Sequence, residues 1–126
     1  MSQVAPRVGI VLVSHSVRLA EGAADLAGQV SGGSVRVLAA GGTEDGELGT
    51  SAEKVARAVA SADAGAGVLV LPDLGSAVLT VRAMLDEMGR PGDMLGARVV
   101  LADAPFVEGA VAALIAIIGG ATRVGG

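Results

Sequence analysis

Four short apolar runs, each followed by a segment with helical spacing, constrain the fold of this chain more than any other feature. The runs are rich in β-branched residues and span Val8–Val13, Val35–Ala40, Gly67–Leu71 and Ala97–Ala102. Strands of this kind are buried on both faces, as in a parallel sheet whose crossovers are helices. The order β-α-β-α-β-α-β-α therefore predicts an α/β fold, a single-domain, four-stranded parallel sheet with helices on both faces.

The segments between the runs repeat apolar residues at helical spacing. The stripes comprise Leu19, Ala23, Leu26, Ala27 and Val30; Val55, Val59 and Ala62; Val78, Val81, Met84, Leu85 and Met88; and Val111, Leu114, Ile115 and Ile118. Thr50 followed by Glu53 fits a capping box, which predicts the start of the second helix. The length of 126 residues suits one domain over residues 1–126, with a frayed tail at about residues 122–126.

Composition removes several kinds of catalytic site. The chain has no cysteine, which excludes a thiolate nucleophile, a disulfide framework and a cysteine-ligated metal. One histidine excludes a metal site with two histidines from one chain, and scattered carboxylates make a poor ligand shell. We therefore predict no metal and no cofactor.

Charge and hydropathy also limit the partners. Nine basic and thirteen acidic residues give a net charge of −4, and Phe106 is the only aromatic residue. A nucleic-acid footprint normally needs a basic face and stacking side chains, so no nucleic-acid partner is predicted. The longest uncharged apolar stretch, Gly109 to Ala121, is shorter than the roughly 18 residues of a spanning helix. We expect no membrane insertion and a cytoplasmic location.

The residues that can do chemistry cluster where the predicted strands end. Ligands of open parallel sheets gather outside the carboxyl ends of the strands. The four segments at these ends are Ser14-His15-Ser16, Gly41-Gly42-Thr43, Asp73-Leu74-Gly75-Ser76 and Asp103-Ala104-Pro105. Three of them hold hydroxyls, carboxylates and glycines that are scarce elsewhere in this chain. This edge of the sheet is the predicted functional site.

His15 and Asp73 are the candidate catalytic residues. His15, between a strand and a helix, has the position of a nucleophile or proton shuttle, or else of a residue that caps a helix or fills a turn. If the first and third strands are neighbours, about 4.8 Å apart, their ends bring Asp73 within reach of His15. A carboxylate on one ring nitrogen would fix the tautomer and leave the other nitrogen free to attack. Asp73 also fits an ordinary helix N-cap, and both roles can hold.

Gly42, Thr43, Gly75 and Ser76 are the candidate phosphate-binding residues. Their backbone N–H groups stand where a helix or turn begins, and such positions bind anions. Neither the segment with Gly42 and Thr43 nor the segment with Gly75 and Ser76 matches a nucleotide-binding fingerprint. Taken alone, glycines after a strand more often serve the turn itself.

Four segments together resemble a known family. They are VSHSVRLAEG, GGTEDGELGTS, LPDLGSA and APFVEGAVAA. These segments are similar to those of DhaM, the phosphotransferase subunit of bacterial phosphoenolpyruvate-dependent dihydroxyacetone kinase. DhaM has the mannose-type IIA fold of the sugar phosphotransferase system (PTS). The similarity runs from about Val8 to Ile118.

The resemblance implies a function, a site and partners. His15 matches the histidine that receives a phosphoryl group from the phosphocarrier protein HPr and passes it to ADP in the kinase's nucleotide-binding subunit. The regenerated ATP would phosphorylate dihydroxyacetone in a third subunit. Asp73 matches the aspartate beside that histidine. The fold family implies strand order 2-1-3-4 and a homodimer.

Two other functions remain open from the sequence. A mannose-type sugar-transporter IIA component would share the fold and His15 but would pass the phosphoryl group to a IIB protein. The DLGSA segment favours the kinase subunit, because transporter members tend to have a glycine-rich segment there. A non-catalytic anion-binding module on the same fold would keep its function when His15 is replaced by alanine.

Overall fold

The computed structural model describes residues 7–88 and 98–120. Four strands and four helices alternate along the chain: β1 (Gly9–Ser14), α1 (Val17–Ser31), β2 (Val37–Gly41), α2 (Ala52–Ala62), β3 (Val68–Pro72), α3 (Gly75–Met88), β4 (Val99–Leu101) and α4 (Phe106–Ile118). The predicted α/β class and element order are confirmed. The predicted tail at residues 122–126, and Ala97 of the predicted fourth strand, lie outside the described residues.

The strands form one parallel sheet in the order β2-β1-β3-β4, which confirms the implied order. In the register, Ser14 at the end of β1 lies opposite Gly41 of β2, and Val13 lies opposite Pro72 of β3. Strands β1 and β3 are thus adjacent, and the ends of β1, β2 and β3 meet at one edge. Strand β4 is parallel to β3, so its end lies at the same edge, and this edge carries all four predicted functional segments.

Each face of the sheet is covered by two helices, because successive side chains of a strand point to opposite faces. Val11 and Val13 of β1 contribute to the core under α2 and α3, whereas Ile10 and Leu12 contribute to the core under α1 and α4. All six residues of β1 are buried, as expected for a central strand between two helical layers.

Two helices turn a different face inward from the predicted stripes. In α1, Leu19, Leu26 and Val30 are each 47% exposed, whereas Ala20 is fully buried. The small residues allow a close approach to β2, since a Cβ on Gly41 would lie 2.8 Å from the Cβ of Ala20. The predicted α1 stripe is therefore wrong at its larger members.

Helix α4 differs from its predicted stripe in the same way. Ala110, Leu114 and Ile117 are its buried residues, whereas the predicted Ile115 and Ile118 are exposed. Almost every position of α4 is apolar, so its sequence spacing does not define a unique inner face.

The predicted capping box of α2 is wrong by one residue. The N-cap is Ser51, whose hydroxyl accepts a hydrogen bond from the backbone N–H of Lys54 at 3.1 Å. Thr50 instead forms a bridge with Gly42 next to the end of β2. Glu53 still lies in the first turn, where its negative charge complements the helix dipole.

Candidate active site

His15 lies in the two-residue connection between β1 and α1. Ser16 caps α1, and its hydroxyl accepts a hydrogen bond from the N–H of Leu19 at 3.2 Å. The carbonyl of His15 accepts a hydrogen bond from the N–H of Gly49 at 2.9 Å. The backbone of His15 is therefore held by α1 on one side and by the β2–α2 loop on the other. Its side chain is 23% exposed.

Asp73 directly follows β3 and extends the pairing of β3 with β1. Its N–H donates to the carbonyl of Val13 at 3.0 Å. Its side chain is 8% exposed, and its Oδ1 lies 3.1 Å from Nδ1 of His15. The structure thus brings the two candidate catalytic residues together as the strand order requires.

Each oxygen of the Asp73 carboxylate has two hydrogen-bond partners. Oδ2 accepts from the hydroxyl of Ser14 at 2.7 Å and from the N–H of His15 at 3.3 Å. Oδ1 accepts from the N–H of Leu74 at 2.7 Å and contacts Nδ1 of His15. The N-cap role predicts a bond to an N–H inside α3, whereas Leu74 precedes that helix. Three of these four contacts are with Ser14 at the end of β1 and with His15 in the β1–α1 connection.

Hydrogen bonding keeps Asp73 ionised. Burial on its own would raise the pKa of this carboxyl, but the hydrogen bonds from Ser14, His15 and Leu74 outweigh it and hold the pKa below its ordinary value. An ionised carboxylate only accepts hydrogen bonds. Nδ1 of His15 is therefore the donor in this contact, and in the neutral form of the ring the lone pair is then on Nε2.

The free nitrogen of His15 faces the start of α3. Nε2 contacts the hydroxyl of Ser76, the second residue of that helix. The first N–H groups of a helix have no partner inside the helix, and the dipole makes this end positive. Gly75 and Ser76 are both exposed. An anion bonded to Nε2 would therefore lie next to the free N–H groups at the start of α3.

The structure separates the four candidate phosphate-binding residues into two pairs. Gly75 and Ser76 lie at the site. On the β2 side, the N–H of Gly42 donates to the carbonyl of Ser14 at 3.1 Å, and the N–H of Thr43 donates to the carbonyl of Glu47 at 2.9 Å. These two donors are engaged within the protein.

Sequence reasoning gave no individual role to Ser14. Its hydroxyl is fully buried and contacts the carboxylate of Asp73. The available signal was a serine at the end of an otherwise apolar strand, directly before the only histidine.

The described part of the chain lacks two further features. Within residues 7–88 and 98–120, no three or more histidine, cysteine, aspartate or glutamate side chains gather where they could hold a metal ion. No helix of that part is long and apolar enough to cross a membrane.

Comparison with known proteins shows the family to which this chain belongs. A sequence model of the family described as PTS system fructose IIA component, or EIIA-man, matches residues 9–119. The phosphoryl donor subunit DhaM of PEP-dependent dihydroxyacetone kinase 2 from Listeria innocua is 34% identical over 108 residues, which cover 86% of this chain and 84% of the relative. The chain belongs to the DhaM family of mannose-type IIA domains.

Other members of the DhaM family differ in length. The DhaM subunit of the PTS-dependent dihydroxyacetone kinase from Lactococcus lactis is 36% identical, with 90% of this chain and 85% of the relative covered. The Escherichia coli DhaM is 38% identical over 90% of this chain, which spans only 24% of that relative. A crystal structure of a protein of unknown function, EF1359, superposes with a TM-score of 0.76 at 33% identity, covering 95% of this chain and 88% of that one. The DhaM-type fold predicted from the sequence is confirmed.

Proposed function

We propose that this chain is a phosphohistidine carrier: His15 accepts a phosphoryl group from HPr and passes it to ADP bound in the nucleotide-binding subunit of a dihydroxyacetone kinase. One observation carries the proposal. Nδ1 of His15 lies 3.1 Å from the carboxylate of Asp73, while Nε2 faces the start of α3. The relatives named as DhaM subunits support a role in the dihydroxyacetone kinase system.

Loading is an in-line displacement at phosphorus. The lone pair on Nε2 of His15 attacks the phosphorus of the donor's phosphohistidine and forms an N–P bond. The N–P bond of the donor breaks, and its electron pair returns to the donor's ring. Nδ1 keeps its proton, and the carboxylate of Asp73 balances the positive charge that develops on the ring of His15. Such transfers depend on positioning and charge stabilisation rather than on many reactive groups.

The phosphoryl oxygens need donors, and the first turn of α3 has them. The hydroxyl of Ser76 contacts Nε2 in the unloaded protein, so its side chain must rotate to make room for the phosphoryl group and can then donate to an oxygen. The N–H groups of Gly75 and Ser76 supply further donors. Contacts from Gly42 and Thr43 would require their N–H groups to leave Ser14 and Glu47, so the proposal assigns them a lesser part.

Unloading is the reverse displacement with a different nucleophile. A terminal phosphate oxygen of ADP attacks phosphorus, the bond to Nε2 breaks, and the lone pair returns to His15. The ATP that forms would phosphorylate dihydroxyacetone in the third subunit. The proposal includes a single-domain carrier over residues 1–126, a homodimer, a cytoplasmic location, and no metal or cofactor.

A sugar-transporter IIA component is the second candidate function. The family description, PTS system fructose IIA component, favours it. It uses the same loading step at His15 but passes the phosphoryl group to a IIB protein instead of ADP. The two functions therefore differ only in the acceptor.

The test measures intact mass after incubation with phosphoenolpyruvate, enzyme I and HPr at alkaline pH, followed by addition of an acceptor. We expect one phosphoryl group on the wild type and none on His15→Ala. Gln29→His in the His15→Ala background is the matched control, because it restores a histidine on the exposed face of α1 away from Asp73. It should remain unlabelled.

The acceptor decides between the candidates. Discharge by ADP with the nucleotide-binding kinase subunit supports the kinase function. Discharge by a IIB protein but not by ADP supports the transporter function. No labelling of the wild type would reject both and leave a non-catalytic anion-binding module.

A further inference from the structure

Ser14 and Ser31 are the two polar residues that are buried as whole residues in the described part of the chain. A buried hydroxyl normally needs a partner, and the two serines satisfy this need differently. Ser31 donates to the carbonyl of Gly28 in its own helix at 3.1 Å. Ser14 donates to Asp73, 59 positions away, at 2.7 Å, and accepts from the N–H of Ser16 at 3.0 Å. The hydroxyl of Ser14 is thus directed at the candidate active site.

The hydrogen bond from Ser14 restricts the orientation of the Asp73 carboxylate. Oδ2 is occupied by the hydroxyl of Ser14 and the N–H of His15, which leaves Oδ1 for Nδ1 of His15. Without the hydroxyl, Oδ2 would keep only the bond from the N–H of His15, which at 3.3 Å is the longest of the four, and the bond from the N–H of Leu74 to Oδ1 would be the one short bond left. The carboxylate could then turn about its terminal bond, because such torsions have broad minima.

We propose that Ser14 is a positioning residue: it holds the carboxylate of Asp73 in the orientation that keeps the ring proton of His15 on Nδ1. Ser14 thereby selects Nε2 as the nitrogen that takes the phosphoryl group. This inference rests on the proposed function for its catalytic consequence, but the position of the ring proton is a property of the unloaded protein.

The position of the proton is directly measurable because the chain has a single histidine. The ring nitrogens of ¹⁵N-labelled protein give one set of NMR signals, and these distinguish a proton on Nδ1 from a proton on Nε2. We expect the neutral ring of the wild type to carry its proton on Nδ1. In Ser14→Ala we expect a mixture of the two tautomers.

The second measurement is the rate at which His15 is phosphorylated by phosphoramidate, a small donor that needs no docking surface. A hydrogen bond to a charged group contributes enough to predict a rate about tenfold lower in Ser14→Ala. Since Ser14 acts through Asp73, the loss in Ser14→Ala/Asp73→Asn should be smaller than the product of the two single losses.

Ser31→Ala is the matched control, because it removes a buried hydroxyl from the last residue of α1, which makes no contact with Asp73. It should lower stability but leave both the tautomer and the rate unchanged. Ser14→Cys keeps the size of the side chain but donates weakly, so it provides the same test if Ser14→Ala does not fold. Circular dichroism establishes that each variant is folded.

A wild-type tautomer and a wild-type rate in folded Ser14→Ala or Ser14→Cys would overturn the proposal. The proposal would also be overturned if Ser14→Ala lowered the phosphorylation rate by the same factor in the wild type and in the Asp73→Asn background. If HPr and phosphoramidate both fail to label wild-type His15, the proposed function fails, whereas the tautomer measurement still decides the positioning role of Ser14.

Discussion

Nδ1 of His15 and Oδ1 of Asp73 lie 3.1 Å apart, although 58 positions separate them along the chain. The parallel pairing of β1 with β3 creates this contact. Val13 lies opposite Pro72 in the register, and the N–H of Asp73 donates to the carbonyl of Val13. The two side chains therefore emerge side by side where the strands end. Any change that shifts this register would separate the imidazole from its carboxylate.

Asp73→Asn should slow the loading of His15. The amide retains the shape of the carboxylate but loses the charge that balances the developing positive ring. A hydrogen bond to a charged group contributes about 1.5–3 kcal/mol, which corresponds to roughly a 10- to 100-fold lower rate. The measurement is the single-turnover rate of phosphorylation by HPr. Asp103→Asn, which changes an exposed carboxylate after β4, is the control and should retain the wild-type rate.

Asp73 should also make stability depend on pH. Burial opposes ionisation, but the hydrogen bonds from Ser14, His15 and Leu74 lower the pKa of the folded state below the unfolded value of about 3.9. The ionised form therefore stabilises the fold above that value, and this contribution is lost as the pH falls through the folded-state pKa. The excess unfolding free energy of wild type over Asp73→Asn should shrink from pH 7 to pH 3.

Circular dichroism with urea suits this measurement because the chain has neither tryptophan nor tyrosine. Asp25→Asn, at an exposed position of α1, is the comparison. An excess that stays constant over the whole pH range would contradict the stabilising role of the ionised Asp73.

A negative charge at Ser76 should prevent loading. Ser76→Asp would set a carboxylate beside Nε2, where it repels the incoming phosphoryl group and occupies the positive end of α3. Ser76→Ala removes only one donor and should lower the rate by about tenfold or less, because the N–H groups of the first turn remain. Ala83→Asp adds the same charge at an exposed position further along α3 and should retain wild-type loading, as measured by intact mass. Equal loading of Ser76→Asp and wild type would argue against phosphate binding at this helix end.

Two glycine substitutions should have opposite effects on stability. Gly42 has a φ of +73°, and a Cβ there would lie 2.7 Å from Cγ2 of Val17. Gly42→Ala should cost about 1–2 kcal/mol for the left-handed backbone, with a further cost from overpacking. Gly22 is exposed within α1 and has open space around its Cα, so Gly22→Ala should stabilise by about 0.5–1 kcal/mol. Urea unfolding would detect both changes. Loss of stability in both variants would contradict the placement of Gly22 in open space within α1.

The fold was predictable because buried parallel strands need continuous apolar runs, and this chain has four. The observed ends of the strands differ from the predicted ends by one or two residues, and Pro72 is the last residue of β3. The inner face of α1 was not predictable from spacing. Leu19 and Ala20 are adjacent in the sequence, and only the close approach of α1 to Gly41 selects the smaller residue for the core.

The site was predictable only where topology alone determines it. His15 and Asp73 follow two neighbouring strands, so their proximity required only the strand order. The engagement of the Thr43 N–H depends on a turn that returns Glu47 to it, which no local pattern specified. The hydroxyl of Ser14 could equally have bonded to its own backbone, as serines often do near turns. Its contact with Asp73 is visible only in three dimensions.

The central claim is that Nε2 of His15 takes the phosphoryl group, and NMR of the loaded, ¹⁵N-labelled protein tests it most directly. A single histidine gives a single phosphohistidine signal, and coupling between phosphorus and nitrogen identifies the modified atom. The protein is loaded with phosphoenolpyruvate, enzyme I and HPr and kept at alkaline pH, because the N–P bond is acid-labile. We predict phosphorus bonded to Nε2, with the proton retained on Nδ1. Phosphorus on Nδ1, or on a serine hydroxyl, would contradict the account.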